Sequence, residues 1–101
     1  SAVSTCSTGK PGHSTPTVEA SAGDWAISYW ADKSSGTTAF TLPAEVTQRQ
    51  AVCSTNAGRT CSVLADSAGP VAAGTYGNLT ATADSASANA TMWTILLRQV
   101  T

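Results

Sequence analysis

The sequence carries little charge. Only 11% of its 101 residues are Asp, Glu, Lys or Arg, roughly half the share that is usual in globular chains. The net charge is −1, and the basic residues are scattered rather than clustered. No basic patch is available to neutralise several phosphates together. We therefore expect no nucleic-acid partner.

Long apolar runs are also missing. No stretch approaches the roughly 20 apolar residues that a membrane-spanning helix needs, and no charged segment followed by an apolar one stands at the start. We expect a soluble chain without a membrane partner, whose export signal has been removed or lies outside it.

Histidine is almost absent. His13 is the single one, so one chain cannot assemble a two-histidine metal site. The prediction for His13 is a loop residue without chemistry. The six acidic residues show no spacing that indicates a facing catalytic pair. We predict a non-enzymatic protein with no cofactor.

Four aspartates stand beside turn residues, where this side chain commonly bonds its local backbone. A calcium site built from such loops is the alternative, although EF-hand spacing is absent. The four are Asp24, Asp32, Asp66 and Asp84.

The sequence is rich in Ser and Thr, and its apolar residues alternate with polar ones in short runs. Thr and Val favour pleated, half-buried positions, and short alternating runs recur between turns rich in Gly, Pro and Ser. The predicted strands cover residues 24–32, 37–42, 46–53, 60–66, 79–83 and 90–100. This pattern predicts an all-β, antiparallel β-sandwich of the jelly-roll or Ig-like kind. Residues 1–16 are predicted to be an N-terminal loop or arm, and residues 17–101 a single sandwich domain or part of one.

Three cysteines are an odd number, and none forms a C-x-x-C pair. Cys53 and Cys61 flank a turn-forming stretch between two predicted strands, so we expect a disulfide between them. Cys6 is then left over, which predicts an intermolecular bridge, a partner in a missing segment, or a free thiol. Such cysteine usage indicates a secreted or cell-surface protein.

Each aromatic residue is a candidate either for the core or for contact with a ligand. The alternation around Trp25 and Trp93 is typical of core strands, so we expect both to be buried. Trp30 lies on the opposite face from Trp25, and Tyr76 stands in a Gly-flanked loop. These two are the candidates for ligand contact by an exposed aromatic ring, although packing is favoured for Trp30 as well.

Four stretches carry a family resemblance: residues 25–35, 64–67, 71–77 and 90–97, with the wording WAISYWADKSS, LADS, VAAGTYG and ATMWTILL. Together they resemble the carboxyl-terminal half of a β-sandwich module of secreted actinobacterial proteins, found beside PKD or fibronectin-like repeats. The resemblance implies an extracellular, non-catalytic module. It also implies further strands before this half, supplied by a missing N-terminal segment or by another copy.

The leading functional hypothesis is therefore a non-enzymatic extracellular module for surface adhesion or assembly. A carbohydrate-binding module is the first alternative, resting on Trp30 and Tyr76. A structural subunit of a secreted fibre or particle is the second, because incomplete sheets accept a strand from a neighbour.

Overall fold

The computed structural model describes residues 2–7, 12–33, 39–54, 60–84 and 89–98. Within these ranges the chain forms ten strands: β1 Ala2–Ser7, β2 Gly12–Ser14, β3 Val18–Ala20, β4 Trp25–Lys33, β5 Phe40–Thr41, β6 Thr47–Cys53, β7 Thr60–Pro70, β8 Gly74–Tyr76, β9 Thr80–Ala83 and β10 Asn89–Leu97. The same ranges contain no helix long and apolar enough to cross a bilayer.

The first layer is a five-stranded antiparallel sheet in the order β1-β10-β4-β7-β6. The second layer consists of β2-β9-β5 and β3-β8. Its two parts are nearly continuous: the Thr15 N–H donates to the carbonyl of Leu79 over 2.9 Å, and the Asn78 N–H donates to the carbonyl of Thr15 over 2.9 Å. The predicted all-β antiparallel sandwich is confirmed.

The core lies between the layers and has two parts. Trp30 and Met92 form the larger part with small residues of both layers, and Phe40 packs against it. Ala26 and Leu96 belong to the smaller part. Many of the remaining core residues are alanines, so the two layers approach closely and Trp30 supplies much of the buried volume.

The N-terminal stretch is not the predicted loop or arm. β1 pairs with β10 at the edge of the larger sheet, and β2 pairs with β9 in the second layer. These strands are held by backbone pairing with strands far along the chain. Their Ser-rich and Gly-rich sequence shows almost no apolar alternation, so local sequence does not predict them. The sequence does not predict β3 and β8 either. β7 continues to Pro70, beyond its predicted end at Asp66.

The predicted disulfide between Cys53 and Cys61 is confirmed. The two residues are directly opposite each other on β6 and β7, with their Cα atoms 4.0 Å apart. Closing so short a loop contributes about 2.5 kcal/mol of stability in the chain-entropy description. Cys6 is a free, exposed thiol on β1.

Candidate functional site

Trp30 is one of the two candidates for ligand contact, although packing is its favoured interpretation. Trp30 lies in the core with 0% of its surface exposed, and its indole N–H donates to the carbonyl of His13 over 2.9 Å. A buried indole generally needs such an acceptor. The hypothesis of a ligand contact through Trp30 is therefore wrong for this structure.

The predictions for Trp25 and Trp93 are wrong. The sequence predicts both in the core, yet they are 42% and 37% exposed. The reason is steric: the second layer packs on the face of β4 that carries Ala26 and Ser28, whose small side chains leave room for Trp30. Trp25 and Trp93 lie on the opposite face of the sheet and point away from that layer.

We call the surface that faces away from the second layer the outer face. Its large apolar side chains, exposed or half-buried, are Trp25, Ile27, Tyr29, Val52, Leu64, Trp93, Ile95 and Leu97. The strand register places Trp93 directly beside Tyr29, and Tyr29 directly beside Leu64. Cross-strand neighbours are only about 5 Å apart. A continuous apolar strip therefore crosses three adjacent strands.

A shallow depression of about 210 Å³ lies at one end of this strip. Tyr29, Leu64 and Val52 form its apolar wall, and Gln50 and Ser62 line the rest. The ring of Tyr29 can stack on the flat apolar face of a ligand, and the Gln50 amide and Ser62 hydroxyl can form hydrogen bonds with the ligand's polar edge. This depression therefore offers a small polar ligand both kinds of contact.

The outer face carries an ion pair between β6 and β7. Arg49 donates through Nε to Oδ2 of Asp66 over 2.8 Å and through Nη2 to Oδ1 over 3.0 Å. This hydrogen bonding holds the pKa of the Asp66 carboxyl below its ordinary value and raises the pKa of the Arg49 guanidinium. The Ala68 N–H also donates to Asp66 over 2.8 Å. The pair is solvent-exposed, so it fixes local geometry more than it stabilises the fold.

Replacing Arg49 by Gln is expected to move the pKa of Asp66 back toward its ordinary value of 3.8. Because the folded-state pKa is lowered, the contribution of the pair to stability is present above the unfolded-state pKa and is lost as the pH falls through the folded-state value. A ¹³C NMR titration of the Asp66 carboxyl measures the shift. Arg98→Gln is the control and leaves the titration of Asp66 as it is in the unmodified chain. An unchanged Asp66 pKa in Arg49→Gln would contradict the assignment.

Tyr76, the second predicted ligand contact, is a packing residue. Its ring contacts both parts of the core, and its hydroxyl is buried. Burial raises the pKa of that hydroxyl above 10.0, and the neighbouring Ser28 hydroxyl opposes the shift. The two hydroxyls lie close together without a hydrogen bond of standard geometry. Tyr76 thus joins the two core parts and does not present its ring to solvent as a platform.

His13 and Asp32 meet inside the sandwich. Nε2 of His13 lies 3.6 Å from Oδ2 of Asp32, and both side chains are fully buried. The ring of His13 also meets Phe40 edge-on, with centroids 6.1 Å apart. His13 is therefore a core residue of β2 and not the predicted loop residue. Neither side chain of the pair is open to a substrate in solution, and the pair links β2 to β4.

Two of the predicted turn aspartates do bond their local backbone. Asp24 accepts from the N–H of Ser21 over 3.0 Å, and Asp66 accepts from Ala68 as described above. Asp32 lies instead within β4, and Asp84 follows β9. In the part of the chain that the structure describes, no three His, Cys, Asp or Glu side chains are grouped so as to hold a metal ion. The calcium alternative gains no support from these residues.

The sequence prediction missed Tyr29, Leu64 and Trp93 as surface residues. Alternation showed that β4 and β10 each have two faces, but it does not say which face the second layer covers. One signal was present: the Trp30 face of β4 also carries Ser28 and Asp32, which made it resemble a solvent face. The structure shows that these polar residues are buried and that the more apolar face is exposed.

Comparisons with protein-family models, with curated proteins and with solved structures found no match to this chain. The resemblance to the actinobacterial module therefore stays a prediction, and function has to be argued from the outer face itself.

Proposed function

We propose that this protein is a non-enzymatic extracellular module that attaches to a partner through its outer face, in adhesion or assembly. The observation that carries the proposal is that β4 and β10, two adjacent strands inside the large sheet, carry large apolar side chains on both faces. Sheets with one solvated face normally alternate apolar and polar residues, whereas sheets covered on both sides are apolar throughout. β4 and β10 follow the second pattern although the second layer covers only one side.

The exposed side chains are of the kind that interfaces select. Tyr, Trp and Leu recur across the strip, whereas Asp66, which lies beside Ile27, is paired with Arg49. The centres of protein interfaces are depleted in charge and enriched in aromatic residues, and exposed apolar patches of this extent mark binding surfaces. The Cys53–Cys61 disulfide is compatible with an extracellular location.

Carbohydrate binding is the second candidate, and the depression beside Tyr29 favours it. Trp93 and Tyr29 lie next to each other, and Gln50 and Ser62 supply hydrogen-bonding groups within reach of a ring stacked on Tyr29. The first proposal is preferred because aliphatic side chains such as Leu64, Leu97 and Val52 make up much of the outer face. Aliphatic groups pack well against protein and offer little to a sugar hydroxyl.

Retention on defined surfaces tests the proposal. Three surfaces are used: beads bearing the chain itself, cellulose and chitin. The variant Leu64→Lys places a charge in the strip, and Thr82→Lys is its matched control, because Thr82 is an exposed residue of β9 in the second layer. We expect the unmodified chain and Thr82→Lys to be retained on at least one surface, and Leu64→Lys to lose most of that retention. Equal retention of both variants, or retention on none of the surfaces, would contradict the proposal.

A further inference from the structure

We infer that the partner of the outer face is a second copy of this chain, so that two copies pack their five-stranded sheets face to face. This inference rests on the proposed function, because it names the occupant of the same surface. The complex is a four-layer sandwich in which both faces of each large sheet are covered.

The size of the outer face fits such a contact. Five strands at about 4.8 Å spacing give a width of about 24 Å, and nine residues of β4 give a length of about 30 Å. The resulting plan area of roughly 700 Å² is close to the roughly 800 Å² per partner that stable protein interfaces bury. A single sugar or a short peptide would cover only a small part of it.

The charge distribution allows two identical faces to meet. Arg49 and Asp66 already neutralise each other, and Lys33 lies at the far end of β4, so the Lys33 side chains of the two copies meet only at the solvent-exposed end of the contact. Two copies therefore bring no unpaired like charges together at the centre, where such charges would be costly. Closed dimers of identical chains require this self-complementarity, because each copy presents the same patch.

The position of the bulky side chains is also suited to a two-fold arrangement. β4 is the central strand of the sheet, and Tyr29 is its middle residue. A two-fold axis parallel to β4 and passing beside Tyr29 places Trp93 of each copy over Leu64 of the other. The larger exposed side chain then meets a smaller one twice, which is the packing that sheet faces about 10 Å apart need.

Cys6 lies at the rim of the same surface. It pairs with Thr91 on the β1 side of the sheet, and its Sγ is 4.0 Å from Oγ1 of Thr91. The thiol is thus on the face that the second copy covers. The dimer rests on the apolar contact, so a Cys6→Ser variant is expected to associate as the unmodified chain does.

Sedimentation velocity over a wide range of chain concentrations, with reductant present, tests this inference. We expect the unmodified chain, Cys6→Ser and Thr82→Lys to share one monomer–dimer equilibrium. Leu64→Lys should raise the dimer dissociation constant at least about 100-fold, because each dimer then buries two unpaired ammonium groups at the centre of the interface. Circular dichroism checks the fold, and Trp93→Lys serves as a second variant if Leu64→Lys does not fold.

A chain that stays monomeric at every concentration overturns the inference, as does a dimer that neither lysine variant weakens. The failures are distinguishable. If the chain is monomeric but is retained on cellulose or chitin through Leu64, the proposed attachment function stands and the second copy is the wrong partner. If Leu64→Lys alters neither association nor retention on any surface, both fail.

Discussion

Trp30→Ala is expected to lower the free energy of unfolding strongly, whereas Trp93→Ala keeps nearly all of it. Trp30 is fully buried and Trp93 is 37% exposed. Truncating a buried Trp to Ala typically costs about 3 to 5 kcal/mol, and it removes the indole N–H that donates to the His13 carbonyl. Small domains have a total stability of only about 5 to 15 kcal/mol, so this one change consumes much of it.

Urea unfolding followed by far-UV circular dichroism measures the difference. Trp93→Ala is the matched control, because it removes the same atoms from the outer face, and we expect it to change the free energy of unfolding by less than about 1 kcal/mol. The measurement is made on dilute protein, so that self-association does not contribute. If Trp93→Ala were the more destabilising of the two, the assignment of the covered and exposed faces of the large sheet would be reversed.

Gly77→Ala is the second change with a large expected effect. A Cβ atom at Gly77 would lie 2.1 Å from the carbonyl oxygen of Pro16 and 2.8 Å from the Cα of Thr17, and the residue has a φ of +128°. The atoms in the way are backbone, so they cannot move without opening the junction between the two parts of the second layer. We expect a loss of at least about 3 kcal/mol in the free energy of unfolding, combining backbone strain with the clash.

Variants at two other glycines separate the effect of backbone strain from the effect of the steric clash. Gly74 has a similar φ of +129°, but a Cβ there meets no atom within 4 Å, and at Gly69 the space is open without an unusual φ. Gly74→Ala should therefore cost about 1 to 3 kcal/mol from strain alone, and Gly69→Ala should stay within about 0.5 kcal/mol of the unmodified chain. Thermal and urea unfolding of the three variants test this order. A Gly77→Ala variant as stable as Gly69→Ala would show that the Pro16 junction is not tightly packed.

Much of the fold could be predicted from local patterns. The alternation in residues 24–32 and 90–100 predicts β4 and β10, and the spacing of Cys53 and Cys61 predicts their bridge. β1 and β2 could not be found in this way, because their partners β10 and β9 lie far along the chain and their sequences lack apolar alternation.

The candidate site was harder to predict than the fold. Period-two alternation separates the side chains of a strand into two sets but does not say which set is covered. Here both sets contain a tryptophan, and the polar residues Ser28 and Asp32 lie on the covered one. Only the second layer, whose strands pair over long sequence separations, decides that Trp30 is buried while Trp93 is exposed and Tyr29 is half-buried. The functional surface therefore follows from tertiary packing.

The pairing of β1 with β10 determines how the module responds to mechanical load. Ala2 lies opposite Ile95, so the chain enters and leaves the large sheet at the same end. A pulling force applied through the start of β1 and the end of β10 acts across the strands and breaks their hydrogen bonds one after another. It does not load all the bonds at once in shear. Such a domain yields at low force at β1 first, while the disulfide between β6 and β7 holds the opposite edge closed.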